Sequence, residues 1–230
     1  MKDLSNFEWG WLGENSELAR YHKNGMIGEI FDRKQYEEIY QVKEEDVVVD
    51  IGASVGPFTY SILDKNPKMV YCLEPSNNMF EAITKNLPFD NVTLIKKGIS
   101  HSDGITSLEE QLKLFGGEGE FEGTKFSTFI KDNNLNHIDF LKTDCEGGEY
   151  HIFTDENIDF LLNNVGCIVG EWHLDSNEKK IEFRYFRDKY LKKFKNIEVR
   201  SIDGFDITWD LWNEHFIEYY KQVILHISNK

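Results

Sequence analysis

Short apolar runs rich in β-branched residues recur along this chain, and patterns with helical spacing separate most of them. The runs cover 47–51, 69–73, 92–95, 138–141 and 165–169, and the helical patterns cover 58–63, 79–87 and 157–162. A short uninterrupted apolar run suits a strand that is buried on both faces, as in a parallel sheet. Because strands and helices alternate, we predict a doubly wound α/β fold with a mostly parallel sheet and helices on both faces.

The two ends of the chain add further elements to this prediction. Near the N-terminus, the spacing of Tyr36, Ile39 and Tyr40 predicts a helix over 33–40. Near the C-terminus, apolar residues at helical spacing predict a helix over 181–194, and two more apolar runs predict strands over 197–202 and 223–227.

The charge of the chain limits the partners that it can have. Its 230 residues carry a net charge of −15, with 41 acidic and 26 basic side chains. Affinity for nucleic acid or for an anionic membrane needs a basic face, so we expect neither partner. No apolar run approaches the ~20 residues that span a bilayer, and the N-terminus lacks the layout of a signal peptide. We therefore expect no membrane span. The three cysteines form no CxxC pair, so we expect no disulfide framework and no structural zinc site, and a cytoplasmic location.

A glycine-containing loop follows the first apolar run. It reads DIGASVG over 50–56, and Pro57 comes directly after it. Gly52 suits a tight turn, Gly56 suits a close approach of helix and strand, and Ser54 is a candidate cap of the next helix. The loop would present backbone N–H groups to an anion or a carboxylate, so we assign cofactor contacts to it, from Asp50 as well as from Gly52, Ser54 and Gly56.

An acid at the end of the second run strengthens this assignment. Glu74, followed by Pro75, lies 24 positions after Asp50. An acid about 20 residues beyond such a loop can accept both hydroxyls of an adenosine ribose. A nicotinamide cofactor would use the same geometry, but its loop usually reads GxGxxG. Asp50, the acid at the start of this loop, suits a ligand with an ammonium group, and S-adenosylmethionine has one. We therefore predict that the chain binds S-adenosylmethionine, with contacts from Glu74 and Pro75.

Further acidic side chains and a histidine follow the last two runs of the predicted parallel sheet. Residues 142–149 read KTDCEGGE, which includes Asp144 and Glu146, and Glu171 and His173 follow the run over 165–169. Because ligands bind outside the carboxyl ends of strands in open α/β sheets, we expect these side chains to meet there, with Asp144 also facing the cofactor. We interpret Asp144, Glu146 and His173 as candidates for a general base and for alignment of an acceptor. A divalent cation such as Mg²⁺ on the same groups is an alternative that we favour less.

Four sequence motifs contain these candidate residues. They read VVVDIGASVGPFT over 47–59, CLEPS over 72–76, IDFLKTDCEGGE over 138–149 and GEWH over 170–173. Together they resemble the motifs of FkbM-type S-adenosylmethionine-dependent methyltransferases, over about 36–173. The most specific part is the pattern KxDxEGxE, formed here by Lys142, Asp144, Glu146, Gly147 and Glu149.

The resemblance implies a Rossmann-like class I methyltransferase fold and methyl transfer to a hydroxyl group, often on a sugar or on a glycosylated or polyketide product. It also implies that Asp50, Gly52 and Gly56 hold the methionine end of the cofactor and that Glu74 holds its ribose. We accordingly expect a single methyltransferase domain over 1–230, with an N-terminal helical extension over 1–45 and an insertion or cap over 101–124.

The acceptor and two alternative functions stay open at this point. We expect a small-molecule or glycan acceptor, and the sequence does not indicate an oligomeric state. An NAD(P)-dependent oxidoreductase would share the loop and Glu74, and a non-catalytic module would keep the cofactor site without turnover. A basic stretch over 179–200 is a candidate docking site for an anionic partner, but we interpret it as the solvated face of an amphipathic helix.

Overall fold

The computed structural model describes residues 2–107 and 119–229. Within these residues the chain forms ten strands, named β1 to β10 in chain order. Their bounds are β1 Val47–Ile51, β2 Met69–Leu73, β3 Val92–Ile95, β4 Gly98–Ile99, β5 Gly104–Ser107, β6 Glu120–Thr124, β7 Ile138–Thr143, β8 Val165–His173, β9 Asn196–Ser201 and β10 Gln222–Ser228.

A central seven-stranded sheet has the strand order β3-β2-β1-β7-β8-β10-β9. The strands β1, β2, β3, β7 and β8 pair in parallel, whereas β10 runs antiparallel to both β8 and β9. The predicted mostly parallel sheet is therefore confirmed. Because β10 pairs with β8 as far as His173, Glu171 and His173 lie within the last residues of β8 and not after it. We call the edge at which the parallel strands end the carboxyl edge.

Helices cover both faces of this sheet, as predicted. Their bounds are α1 Glu17–Ile27, α2 Pro57–Ile62, α3 Asn77–Asn86, α4 Phe126–Asp132, α5 Glu149–Ile152, α6 Ile158–Asn164, α7 Asn177–Lys189 and α8 Glu214–Tyr219. The serines Ser16, Ser76 and Ser176 cap α1, α3 and α7, each accepting a hydrogen bond from the backbone N–H three residues later. The helices α2 and α3 bury apolar side chains against one face of the sheet, and α4 to α8 against the other.

The N-terminal extension contains a helix, but the helix lies earlier than predicted. We predicted a helix over 33–40, whereas the structure has α1, a π-helical turn over Gly28–Asp32 and a short 3₁₀ turn over Gln35–Glu37. Lys34 separates these two turns because its φ of +52° is left-handed, which a continuous helix does not tolerate. Beyond this break, Tyr36 is buried, with 3% of its surface exposed.

The predicted insertion over 101–124 contributes a small second sheet. In this sheet β5 pairs antiparallel with β6, and β4 pairs parallel with β6. The middle of the predicted insertion, 108–118, lies outside the described residues. The described strands form a hairpin that adjoins the carboxyl edge, because Ile105 and Phe121 line a cavity together with Pro75.

The C-terminal elements agree with the predicted helix and two strands, which are α7, β9 and β10. Basic side chains of α7 pair with acids of neighbouring elements, as in Lys180 with Glu218 at 2.8 Å and Lys189 with Asp155 at 2.7 Å. The interpretation of the basic stretch as a solvated helix face fits these two lysines, but it is wrong for Lys179 and Arg187, which are buried. Within the part of the chain that the structure describes, every helix is too short or too polar to cross a bilayer.

Candidate active site

The loop between β1 and α2 depends on two glycines in the left-handed region. The φ angle is +74° at Gly52 and +88° at Gly56. A Cβ atom on Gly52 would lie 1.8 Å from the carbonyl oxygen of Asp144, and one on Gly56 would lie 2.8 Å from side-chain carbons of Ile83 and Leu87. The tight turn predicted at Gly52 is present, and the chain after β7 packs against it. At Gly56 the close approach is between the loop and the end of α3, and not between a helix and a strand as predicted.

The predicted capping role of Ser54 is wrong. Gly56 occupies the N-cap position of α2, and only Pro57 in the first turn agrees with the prediction. Ser54 adopts a left-handed φ of +53°, and its backbone N–H donates to Oε2 of Glu74 at 2.8 Å. Ser54 therefore contributes to the site through its main chain, by fixing Glu74.

Asp50 is buried and already has partners. Its Oδ1 lies 3.1 Å from Nζ of Lys142, and its Oδ2 accepts from the hydroxyl of Thr59 at 2.8 Å. Nζ of Lys142 also donates to the carbonyl of Gly52 at 2.8 Å. Burial lowers the pKa of Lys142, but the carboxylates of Asp50 and Asp144 outweigh that effect and hold the pKa above its usual value. Asp50 therefore fixes the loop through Lys142, and its contact with the ammonium group of a cofactor stays a prediction.

Glu74 lies at the carboxyl edge, where two backbone groups orient its carboxylate. Oε2 accepts from the N–H of Ser54 and Oε1 accepts from the N–H of Ser76, each at 2.8 Å. Burial raises the pKa of Glu74 to about 7, although both hydrogen bonds oppose this rise. A carboxylate has about four acceptor positions, so each oxygen keeps one position for a further donor.

A cavity of about 760 Å³ adjoins the corner between β2 and α3. Pro75 and Asn77 line it on one side, Lys96 at the end of β3 on another, and Ile105 and Phe121 of the hairpin on a third. Pro75 is the residue directly after Glu74, so a ligand bound by Glu74 can extend into this space. The predicted cofactor residue Pro75 is thus a wall of a cavity large enough for an aromatic base.

Four side chains from β8 and from the chain after β7 converge at the same edge, and we call Asp144, Glu146, Glu171 and His173 the His173 cluster. Oxygen atoms of Asp144 and Glu146 and a ring nitrogen of His173 all lie within 4.8 Å of one another. Nε2 of His173 is 3.4 Å from Glu146 and 3.6 Å from Glu171. The sequence prediction that Asp144, Glu146 and His173 meet at this edge therefore agrees with the geometry.

The electrostatics of the cluster affect the proposed role of His173 as a base. Burial lowers the pKa of His173, but the carboxylates of Glu149, Glu146 and Glu171 outweigh burial and raise it to about 10. Burial and the charge of Asp144 also raise the pKa of Glu171. Since both ring nitrogens of His173 face carboxylates, neither is left to remove a proton from an acceptor. The geometry favours Asp144 and Glu146 over His173 as bases.

Two side chains that support the cluster were not assigned a role from the sequence. The hydroxyl of Tyr36 donates to Oδ2 of Asp144 at 2.7 Å. Glu149 accepts from the N–H groups of Cys145 at 2.8 Å and Gly147 at 2.7 Å, so it fixes the loop after β7. Tyr36 lies 108 positions from Asp144 in the chain, and no local pattern signals such a contact. Glu149 was visible as the last acid of the KxDxEGxE pattern, but its contact with the loop backbone was not.

Comparisons with known sequences agree with this geometry. The chain matches the methyltransferase FkbM domain over residues 50–198. The ribosomal RNA small subunit methyltransferase A of Persephonella marina is 35% identical over 80 residues, which are 34% of this chain and 30% of that protein. The methyltransferase sdnD of Sordaria araneosa is 25% identical over 240 aligned positions, covering 84% of this chain and 86% of that protein. The match therefore spans less than a third of the bacterial enzyme but most of the fungal one.

Comparisons with solved structures show the fold. A chain of a fibrillarin/Nop5p complex has a TM-score of 0.55 at 12% identity, covering 90% of this chain and 83% of that one. A putative rRNA-methylase from Clostridium thermocellum has a TM-score of 0.51 at 14% identity, covering 94% of this chain and 99% of that one. The sheet is thus the Rossmann-like sheet of class I methyltransferases. Because the family match covers more than half of the chain and includes Glu74 and the whole His173 cluster, the chain belongs to the methyltransferase FkbM domain family.

Proposed function

We propose that this methyltransferase binds S-adenosylmethionine along the carboxyl edge and methylates a hydroxyl group of a sugar, a glycan or a glycosylated natural product. The observation that carries the proposal is the carboxylate of Glu74, held at this edge by the N–H groups of Ser54 and Ser76. The family supports methyl transfer over the hydride transfer of the oxidoreductase alternative.

The residues at the edge fit the parts of this cofactor. The free acceptor positions of Glu74 suit the two hydroxyl donors of a ribose. The cavity beside Pro75 and Phe121 offers space for the adenine base. The loop over 52–56 would face the methionine end, and the ion pair of Lys142 with Asp50 keeps that loop in place.

The chemistry then depends on alignment and on removal of a proton. The cofactor supplies a sulfonium methyl group, which the acceptor oxygen takes as the carbon–sulfur bond breaks. Asp144 and Glu146 would orient the acceptor hydroxyl and accept its proton, which contributes ~10²–10⁴-fold when a base is well placed. Glu146 is suited to meet an entering acceptor, since 44% of its side chain is exposed. Asp144 is half-buried and held by Tyr36, so it is suited to alignment.

The charge of the chain favours a neutral or cationic acceptor over a nucleic acid. Relatives include a ribosomal RNA methyltransferase, which would make RNA a second candidate. However, the net charge is −15, and three carboxylates of the His173 cluster line the acceptor side of the edge. A polyanion would be repelled there, because binding to phosphates depends on basic side chains.

Calorimetry and a transfer assay test the proposal in two steps. S-adenosylmethionine and its demethylated product should bind the wild-type chain with one site, and NAD⁺ should not bind. Transfer of a labelled methyl group should then occur to members of a panel of neutral glycans and not to ribosomal RNA. Binding of NAD⁺ in place of S-adenosylmethionine would refute the cofactor assignment, and methylation of RNA alone would refute the acceptor class.

A further inference from the structure

The His173 cluster and its surroundings hold more negative charge than their own basic groups balance. The carboxylates of Asp144, Glu146 and Glu171 surround a single imidazole. Two lysines approach the cluster but have other partners. Nζ of Lys142 pairs with Asp50 at 3.1 Å, and Nζ of Lys179 pairs with Asp175 at 3.2 Å. Carboxylates gathered in this way repel one another, and either a further cation or protonation relieves the repulsion.

Glu171 is the clearest sign that a partner belongs in the cluster. Only 9% of its side chain is exposed, and its one polar contact among the described residues is Nε2 of His173 at 3.6 Å. That distance is too long for a hydrogen bond. A carboxylate so buried normally has strong partners, and Oε1 of Glu171 lies on the side of Nε2 of His173, the ring nitrogen that also faces Glu146.

The neighbours of the cluster orient its atoms as the partners of metal ligands do. Nδ1 of His173 faces Glu149 at 3.6 Å, and Glu149 is itself fixed by the N–H groups of Cys145 and Gly147. This leaves Nε2 directed at Glu146 and Glu171. A histidine that binds a metal typically donates its other ring N–H to a carboxylate; Nδ1 of His173 faces such a carboxylate, although 3.6 Å makes the contact an ion pair and not a hydrogen bond. Carboxylate ligands are likewise held by hydrogen bonds, as Tyr36 holds Asp144.

We propose that Asp144, Glu146, Glu171 and Nε2 of His173 bind one divalent cation at the carboxyl edge, with release to solvent of the proton that this nitrogen carries in the empty site. Three carboxylates with one imidazole suit Mn²⁺ or Mg²⁺ better than a thiolate-seeking ion. The ligand atoms already lie within 4.8 Å of one another for Asp144, Glu146 and His173, so small side-chain movements bring them to a common ion. The use of the cation rests on the proposed function: it would bind the acceptor hydroxyl and lower its pKa, and the proton would pass to the carboxylate oxygen of Asp144 or Glu146 that the cation leaves free.

Titration of the full chain with Mn²⁺, followed by electron paramagnetic resonance and calorimetry, tests the site without any acceptor. We expect one Mn²⁺ per chain, displaced by excess Mg²⁺ and removed by EDTA. Glu171→Gln should weaken Mn²⁺ binding by at least ~10-fold, the size of effect seen even for groups outside the ligand set. Glu81→Gln on the exposed side of α3 makes the same change in charge and should leave Mn²⁺ affinity as in the wild type.

Two further measurements keep the test decisive. If Glu171→Gln loses its circular dichroism signal, Glu146→Gln replaces it, because the Glu146 side chain is 44% exposed and its loss disturbs packing less. Binding of the demethylated cofactor is measured on the same samples, and its absence would count against the proposed function and not against the cation site. The cation site is refuted if the wild type shows no saturable Mn²⁺ binding, or if a folded Glu171→Gln or Glu146→Gln variant binds Mn²⁺ like the wild type.

Discussion

Two buried histidines on neighbouring strands have opposite electrostatic surroundings. His173 ends β8 and is 2% exposed, and His226 lies within β10 and is 0% exposed. In the ladder of β10 with β8, Gln222 pairs with His173 and His226 pairs with Val169. The two histidines are therefore four residues apart along the strands, a distance of about 13 Å. Burial among carboxylates raises the pKa of His173 to about 10, whereas burial, aided by the charge of Arg200, lowers the pKa of His226 to about 3.

The difference shows how sharply this sheet divides into a charged edge and an apolar interior. Both ring nitrogens of His226 lack a hydrogen-bond partner within the described residues, and Tyr40 packs near its ring at a centroid distance of 6.5 Å. His173, in contrast, has carboxylates against both nitrogens. The same side chain is therefore an uncharged part of the core in one place and the positive centre of a site in the other. Replacing His173 should therefore lower the free energy of unfolding, whereas replacing His226 should not.

The largest effect is expected from Asp144→Asn at the charged edge. The amide keeps the volume and still accepts from Tyr36, but it cannot take a proton or carry the charge that aligns the acceptor. Turnover should fall by ~10²–10⁴-fold. Affinity for the cofactor, measured by calorimetry, should change by less than about tenfold.

Asp90→Asn is the matched control for this variant, because Asp90 is exposed and distant in sequence from the cluster. The control should turn over like the wild type. Wild-type turnover in Asp144→Asn at saturating acceptor would remove Asp144 from the chemistry and leave Glu146 as the remaining base.

A matched pair of substitutions tests the histidine comparison directly. His173→Phe removes a positive charge from among carboxylates and should lower the free energy of unfolding by about 3–5 kcal/mol, as for a broken buried ion pair. His226→Phe replaces an unpartnered ring by an apolar ring of similar size and should leave stability unchanged or raise it. Urea unfolding of both variants near neutral pH, with EDTA present, measures the two changes. Equal losses in the two variants would contradict the division into edge and interior.

Glu74→Ala tests the carboxylate assigned to the cofactor. Two backbone N–H groups hold this carboxylate in place, whereas those of the His173 cluster face a histidine. Loss of hydrogen bonds to a charged group should weaken cofactor binding by about 1.5–3 kcal/mol, or about 10- to 150-fold in the dissociation constant. Calorimetry with the demethylated cofactor measures it, and Glu81→Ala on exposed α3 is the control. Unchanged affinity in Glu74→Ala would show that the ribose binds elsewhere.

The parts of the fold that could be predicted are those encoded by nearby residues. The strand runs were visible because a strand buried on both faces needs a continuous apolar segment. The spacing from Asp50 to Glu74 pointed to the edge because both residues end neighbouring parallel strands, as their register shows by pairing Asp50 with Cys72 and Ile51 with Leu73. Gly52 and Gly56 were visible because few other residues adopt their φ angles.

The parts that could not be predicted depend on contacts between distant segments. The extension of β8 to His173 requires β10, which lies about fifty residues later. The ion pair of Asp50 could not be predicted because its partner, Lys142, comes from β7. The helix expected over 33–40 is absent because Lys34 takes a left-handed angle and Tyr36 is held by Asp144. In each case a tertiary contact overrides a local preference.

The pH dependence of stability sharpens the comparison, and its effect is smallest near neutral pH. In the unfolded chain His226 binds a proton near its usual pKa of 6.5, but in the folded chain it does so only near about 3. As pH falls below 6.5, the unfolded state gains this proton first, so the wild type loses stability relative to His226→Phe. The difference should grow by about 1.4 kcal/mol per pH unit and level off near the folded pKa.

Urea unfolding at several pH values between about 7.5 and about 4.5 measures this slope. A pH-independent difference between the wild type and His226→Phe would mean that His226 is protonated in the folded chain, and the interior would then tolerate the charge that this comparison assigns to the edge.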